Sequence, residues 1–350
     1  MTHRTATIRD VAELAGVSQS TVSRVLSGAE TQIPISEDTR LRVQHAAGEL
    51  GYRPHPGARA LGGKRTYLLG LIVREISDPW FAKLIDAISS VARGRGYDLV
   101  LGNAQRDPEE ALALQEMMLD LRYCDGLLLC GDLRESPADR TFLNQMGRNH
   151  KLVSVSRGSR ELVHDMACVG VDNRQGAFLA LEHLAGLGHR RIACINAGRV
   201  GDLWERADAY CQFMTGRFGE PLANYVASGE NDYAGGYQAA RWLLALPSPP
   251  TAIFTPDDRL AIGAMMGALD MGLAVPGDVS VVGFDDMDFS AYVRPALTTV
   301  RQPIDAIAEK ALELLLEMIE GDVVRGTLPQ LFLEPQLIVR DSCGAPPPER

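Results

Sequence analysis

Thr7-Ile8-Arg9-Asp10-Val11-Ala12-Glu13-Leu14-Ala15-Gly16-Val17-Ser18-Gln19-Ser20-Thr21-Val22-Ser23-Arg24-Val25-Leu26 reads as two short helices joined at a glycine. Thr7 has the hydroxyl of a helix cap, and Asp10 three residues on makes a variant capping box. Ile8, Val11, Ala12 and Ala15 follow at i, i+3, i+4 and i+7, which puts them on one face. Gly16 supplies the turn, Ser18 caps the second helix, and Val22, Val25 and Leu26 form its buried stripe. A third helix is expected from the cap Ser36, with Val43, Ala46, Ala47 and Leu50 at helical spacing. Three helices with one shared apolar face make a small independent core, an all-α helix-turn-helix head over residues 1–53.

The second helix turns Gln19, Ser20, Ser23 and Arg24 away from its valines. Glutamine can bond adenine bidentately, serine several bases, and arginine can fork onto guanine in the major groove. The first residues of such a helix are those that reach base edges. The spacing alone also fits a solvated polar face on an ordinary surface helix. The formal net charge is −10. Residues 1–65 hold nine Arg/Lys and six Asp/Glu, so a head of +3 sits on a body of −13. Screening keeps the attraction of that head for phosphate within about 8 Å at physiological salt.

Tyr52 to Arg65 is rich in proline, glycine and basic residues and reads as a linker, with at most one marginal helical turn from Pro56 to Leu61. From residue 66 the pattern becomes alternating strands and helices. Leu68–Val73, Tyr97–Leu101, Gly126–Cys130 and Lys151–Val155 are short apolar runs, and the rhythm restarts at Arg191–Ile195, Thr251–Phe254 and Val279–Phe284. This predicts an α/β core (66–343) of two doubly wound parallel-sheet sub-domains. A helix over Pro303 to Glu320 and a strand over Leu331–Val339 are expected to return and complete the halves. Residues 344–350 read as a Pro-rich disordered tail. Ligands in such sheets bind beyond the carboxyl ends of the strands, here a cleft between the halves.

Thr7 to Leu26, Ser36-Glu37-Asp38-Thr39-Arg40 and Gly51-Tyr52-Arg53-Pro54 resemble the DNA-binding domain of the lactose-repressor (LacI/GalR) family. The resemblance continues through Leu187 to Ala193, Asp278 to Asp286, Pro295 to Val300 and Leu337 to Ser342, and so covers residues 5 to 343 in order. It implies a homodimer or tetramer on pseudo-palindromic operator DNA, with a core like that of periplasmic sugar-binding proteins. The absence of a leucine-heptad extension after Ser342 favours the dimer. The implied DNA contacts are Thr7, Ser18, Gln19, Ser20, Thr21, Ser23 and Arg24 in the head, and Ala58, Arg59 and Leu61 in the linker. Leu61 matches a leucine that wedges into the minor groove, where unstacking a step costs a few kcal/mol and the bend permits further contacts. The chain departs from the pattern in a longer loop, Gly28–Ile35, and in Pro56-Gly57. Gly57 costs up to ~1 kcal/mol relative to alanine, so the hinge is expected to order only on DNA.

In the core, Asp78-Pro79-Trp80-Phe81 follows the first strand and opens a helix. Aromatic rings there can stack on a sugar or base while Asp78 accepts hydroxyl hydrogen bonds; the same rings also suit helix packing. Arg206 matches the family's effector-binding arginine, and Asp285 ends a strand. A guanidinium and a carboxylate facing one cleft would hold a polyol from both sides. Asp257 stands where relatives often carry Asn, and Ser156-Arg157 where many carry Asp and a variable residue. That substitution favours a ligand with an acidic group, unless Arg157 swings into solvent. Asp172 and Asn231 complete the candidates.

Enzymes find little support. There is no Gly-x-Ser-x-Gly, no His-Glu-x-x-His and no Gly-x-Gly-x-x-Gly after a strand. Gly57–Lys64 lacks the glycine that a phosphate loop needs at position 58, and Arg65 stands where it needs Ser/Thr. The seven histidines read as surface or capping residues, and the six cysteines have no Cys-x-x-Cys pair, as in a reducing cytoplasm. No metal, cofactor or membrane span is expected. The chain therefore reads as a ligand-responsive transcription regulator, most simply a repressor of a carbohydrate catabolic operon. A corepressor system, or a stand-alone sugar-binding protein, is the alternative.

Overall fold

The computed structural model describes residues 6–27, 35–52, 65–105, 107–120, 123–131, 151–156, 166–197, 201–219, 223–321 and 328–348. Most of the loop Gly28–Ile35, the linker residues Ala58, Arg59 and Leu61 with Pro56-Gly57, and Arg157 lie outside these residues. The chain forms two units, divided between Tyr67 and Leu68.

The first unit is the head. Helices α1 (Ile8–Ala15), α2 (Gln19–Ser27) and α3 (Glu37–Glu49) enclose Val11, Ala12, Ala15, Val22, Val25, Val43, Ala46 and Ala47. The capping box at α1 is complete: the Thr7 amide donates to Asp10 Oδ2 at 2.7 Å, and the Asp10 amide to Thr7 Oγ1 at 3.4 Å. Gly16 closes α1 in the left-handed region (φ 65), which turns the chain into α2. Ser36 caps α3 as expected. Leu50 is not part of the apolar stripe: α3 ends before it, and it stands 37% exposed as the C-cap.

The second unit holds two six-stranded sheets. The first has the order β11-β5-β4-β3-β1-β2 and is parallel throughout. Its strands are β1 (Leu68–Val73), β2 (Asp98–Asn103), β3 (Gly126–Cys130), β4 (Leu152–Val155), β5 (Ala167–Val171) and β11 (Gln330–Leu333). Three helices belong with it, α4 (Pro79–Gly94), α5 (Pro108–Asp120) and α10 (Ile304–Glu320). The second sheet has the order β12-β10-β9-β8-β6-β7. It comprises β6 (Ile192–Asn196), β7 (Val226–Ser228), β8 (Ala252–Phe254), β9 (Ser280–Asp285), β10 (Thr298–Arg301) and an antiparallel edge, β12 (Gln336–Ile338). Helices α6 (Asn173–Gly186), α7 (Gly201–Phe218), α8 (Tyr233–Leu244) and α9 (Asp258–Asp270) belong with this second sheet. The central strands are buried on both faces, which is why they read as unbroken apolar runs.

Three segments cross between the sub-domains, after Asp172, around Gln302-Pro303, and at Glu334-Pro335. The single strand expected over Leu331–Val339 is therefore two strands, one in each sheet. Pro335 separates them, because a residue without an N–H cannot sustain a ladder.

The expected disordered tail is also corrected at its start. Gly344 is fastened to the core: its amide donates to Ser280 Oγ (3.0 Å), and its carbonyl accepts from His189 Nε2 (2.9 Å). His189, expected as a surface or capping residue, is buried, and its Nδ1 lies 2.9 Å from Thr251 Oγ1. A buried imidazole needs partners for both nitrogens, and the tail supplies one.

Helices α8 and α9 touch through glycines. A Cβ on Gly236 would collide with the Leu260 carbonyl, and one on Gly263 with the Tyr233 carbonyl and the Tyr237 amide. Gly236→Ala and Gly263→Ala should each cost about 1–3 kcal/mol in chemical denaturation, by forcing the helices apart. Gly216→Ala, in α7 with nothing within 4 Å of the added Cβ, should instead add up to about 1 kcal/mol. Equal effects at all three sites would refute this packing.

Candidate functional site

On the head, Gln19 and Ser20 are exposed and Ser23 and Arg24 half-exposed, along the face of α2 opposite Val22 and Val25. The hydroxyls at the start of α2 are tied together: Ser18 Oγ lies 2.7 Å from Ser20 Oγ and 2.8 Å from Thr21 Oγ1, and accepts from the Thr21 amide at 3.1 Å. Thr7 works as a cap, with its hydroxyl donating to Asp10 Oδ2.

In the core, eight of the expected residues line one cleft between the sub-domains: Asp78, Trp80, Phe81, Ser156, Arg206, Asn231, Asp257 and Asp285. The cleft holds about 380 Å³ of empty space, part of it open to solvent. Asp172 does not line it. It caps α6 by accepting from the Gln175 amide (2.9 Å), and its own amide donates to Leu333, which ties two of the crossing segments together. Arg74, Gly131, Asp202, Leu203 and Gln302 also line the cleft, and sequence reasoning had missed them.

The walls follow from helix capping. Asp78 caps α4: its Oδ1 accepts from the Trp80 amide at 3.0 Å, and Pro79 takes the first turn, where no N–H is needed. Asp257 caps α9 through the Arg259 amide (2.6 Å). These two caps belong to opposite sub-domains, and one guanidinium joins them. Arg259 Nη2 lies 2.6 Å from Asp78 Oδ2 and 3.3 Å from Asp257 Oδ2. Burial works against the charge on Arg259, but the two carboxylates outweigh it and raise its pKa. Burial, and next the neighbouring Asp257, push the Asp78 carboxyl up, against the pull of Arg259 and Arg74.

Arg206 and Asp285 do not grip from opposite sides as expected. Both belong to the second sub-domain and pair with each other, Nη1 to Oδ1 at 3.1 Å. Arg206 also donates to the Pro256 carbonyl (2.7 Å) and Asn173 Oδ1 (2.8 Å), and its guanidinium lies 3.7 Å from the centroid of the Phe284 ring. Gln302 donates to Asp285 Oδ1 at 2.6 Å. Burial pushes the Asp285 carboxyl well up, and Arg206 restrains the rise. The pair thus forms one preorganised wall.

Several buried polar atoms of the cleft have no hydrogen-bond partner among the described residues: Trp80 Nε1, Ser156 Oγ, both amide atoms of Asn231, Gln302 Oε1 and Arg74 Nε. An unmade bond of this kind costs about 1–3 kcal/mol, so a cluster of them marks this cleft as the candidate ligand site. Burial raises the thiol pKa of Cys124 to about 12 and Cys343 to about 11, which leaves neither suited as a nucleophile. No group of three His, Cys, Asp or Glu able to hold a metal occurs among the described residues.

Behind the cleft, Asp258 is fully buried and accepts from the Met287 amide (2.8 Å), Ser290 Oγ (2.7 Å) and Thr299 Oγ1 (2.5 Å). Burial pushes its pKa up to about 7. The unfolded carboxyl ionises near pH 4, so the stability it confers is present below that pH and is lost as pH rises through about 7. Melting temperatures from pH 5 to 8 should therefore fall less steeply in Asp258→Asn than in the parent; an unchanged slope counts against this. Arg206→Met leaves Asp285 buried without its counter-ion and should cost about 3–5 kcal/mol in denaturation. Adding Asp285→Asn should restore a large part of that loss.

Comparison with known proteins agrees with this geometry. Residues 7–55 match the model of bacterial regulatory proteins of the lacI family, and residues 181–343 that of the periplasmic binding protein-like domain. The HTH-type transcriptional regulator GalR of Salmonella typhimurium is 36% identical over 97% of this chain and 97% of its own. The HTH-type transcriptional repressor CytR of Escherichia coli is 35% identical over 98% and 97%. Among solved structures, the lac repressor dimer bound to operator superposes with a TM-score of 0.85 at 28% identity, covering 98% of this chain and 100% of that one. With these relatives matching over nearly its whole length, the chain belongs to the lacI family of helix-turn-helix transcriptional regulators.

Proposed function

We propose that this regulator is a cytoplasmic repressor of a carbohydrate catabolic operon that binds a pseudo-palindromic operator as a homodimer. It releases or retains that operator according to a small polyhydroxylated effector bound in the core cleft. It carries out no catalysis and needs no cofactor. Gln19, Ser20 and Arg24 read the major groove, and the linker with Leu61 sets the spacing of the two heads.

The observation that carries this reading is the set of unpartnered polar atoms on Trp80, Ser156 and Asn231, all buried in a cleft crossed by three chain segments. A ligand that satisfies atoms on both sub-domains favours one relative arrangement of them. Its differential affinity for the two arrangements limits how far operator binding can shift. The lac repressor has been solved as a dimer on its operator, and CelR, 29% identical, as a cellobiose complex.

The test is a gel shift on the intergenic DNA upstream of the gene, with and without a panel of sugars. Specific binding as a dimer is expected, altered by one class of sugar; failure to bind any DNA specifically would sink the proposal. Gln19→Ala should weaken specific binding about 10- to 100-fold and leave non-specific binding unchanged. Trp80→Ala should abolish the sugar response.

A further inference from the structure

We propose that the effector carries an oxyanion, a carboxylate or a phosphate on a sugar-like frame, and that Arg74 reads it together with Ser156 and Trp80. The inference rests on the cleft being the effector site.

Arg74 is the first residue beyond β1. Its amide donates to the Cys130 carbonyl (3.1 Å), and the Gly131 amide donates to the Val155 carbonyl (2.9 Å). Arg74, Gly131 and Ser156 therefore stand in successive register at the carboxyl ends of β1, β3 and β4, strands spaced about 4.8 Å apart. The middle position has no side chain, and the Phe81 ring fills its place: a Cβ on Gly131 would lie 2.7 Å from Phe81 Cζ. Phe81 in turn meets Trp80 edge to face at 5.1 Å. Arg74 and Ser156 therefore flank the Phe81 ring at the mouth of the cleft, with Trp80 beside it.

Three of the polar side chains around this ring have a donor to give. Trp80 Nε1, Ser156 Oγ and Arg74 Nε are buried and have no hydrogen-bond partner among the described residues. Ser156 holds a left-handed backbone (φ 50), a conformation that a non-glycine residue keeps only where its surroundings impose it. Among the described residues, the carboxylate paired with the Arg74 guanidinium is Asp78, at 3.7 Å, too far for a hydrogen bond. The same oxygen, Oδ2, already takes Arg259 at 2.6 Å. Arg74 lies instead 5.2 Å from the Phe81 ring centroid, held in place with its donors uncommitted.

Charge points the same way. Asp78 and Asp257 are matched by Arg259 alone at bonding distance, and Arg74 is the second cation of the group. An anionic group on the ligand would replace the long Asp78 contact with charge-assisted bonds. A neutral hydroxyl can satisfy one or two of the three donors. A group that accepts from a guanidinium, an indole N–H and a hydroxyl together is an oxyanion. On the opposite side, Asn231 and Gln302 offer acceptors suited to hydroxyl groups.

The test is isothermal titration calorimetry on the full chain with matched trios: glucose, glucuronate and glucose 6-phosphate, and their galactose counterparts. One acidic member should bind about 10- to 100-fold tighter than its neutral parent, and which member does so tells carboxylate from phosphate. Arg74→Gln should abolish that difference, whereas Arg74→Lys should keep part of it. Ser156→Ala should reduce it less. Tighter or equal binding of the neutral sugars, no binding by any member, or a preference that survives Arg74→Gln would overturn the proposal. Gel shifts with the same compounds separate the two readings. Acidic sugars that bind without altering DNA affinity would leave this inference standing and remove the cleft's regulatory role. Neutral sugars that alone alter DNA affinity would do the reverse.

Discussion

The cleft is organised around one buried guanidinium. Arg259 is shared by Asp78 and Asp257, and each of those carboxylates already caps a helix. Helix N-termini attract negative charge, so the two sub-domains meet with like-charged caps facing each other. Without Arg259 that meeting would be repulsive and the carboxylates would take water. With it, the two sub-domains are joined at the cleft. Removing one member of such a buried group costs about 3–5 kcal/mol, enough to change which sub-domain arrangement dominates.

The wall opposite α4 depends on a strained turn. Asp285 and Asp286 both have positive φ, 110 and 51, which non-glycine residues adopt only when other contacts fix them. Three carboxylates do the fixing. Asp285 takes Arg206 and Gln302; Asp286 takes Arg301 and Arg340; Asp258, from below, takes the Met287 amide and the Ser290 hydroxyl. Gln302 lies in a crossing segment and Asp286 reaches both β10 and the chain after β12. A change in the wall therefore acts directly on the segments that set the angle between the sub-domains.

Much of this was legible in the sequence where the signal was local. The caps Thr7 and Ser36 and the strands Leu68–Val73 and Gly126–Cys130 depend on residues a few positions apart. Ala167–Val171 was passed over because Ala-Cys-Val-Gly-Val is weakly apolar and follows no turn signal, although it is fully buried. The partners of the cleft were harder. Arg259 and Asp78 are 181 residues apart, and Arg206 and Asp285 are 79 apart. Periodicity does not carry such pairings, so Arg74 and Gln302 show no signal of their own in the sequence.

The same distinction applies to Arg206 and Asp285, which line the cleft and pair with each other. Their residue types fit a ligand, yet their geometry satisfies them with each other, with Pro256 and Asn173, and with the face of Phe284. In this cleft the charged groups are paired, and the neutral polar atoms of Trp80, Ser156 and Asn231 are buried without a partner among the described residues. Arg74 is the exception, a charged group without a hydrogen bond, and it therefore discriminates among ligands where the other arginines of the cleft do not.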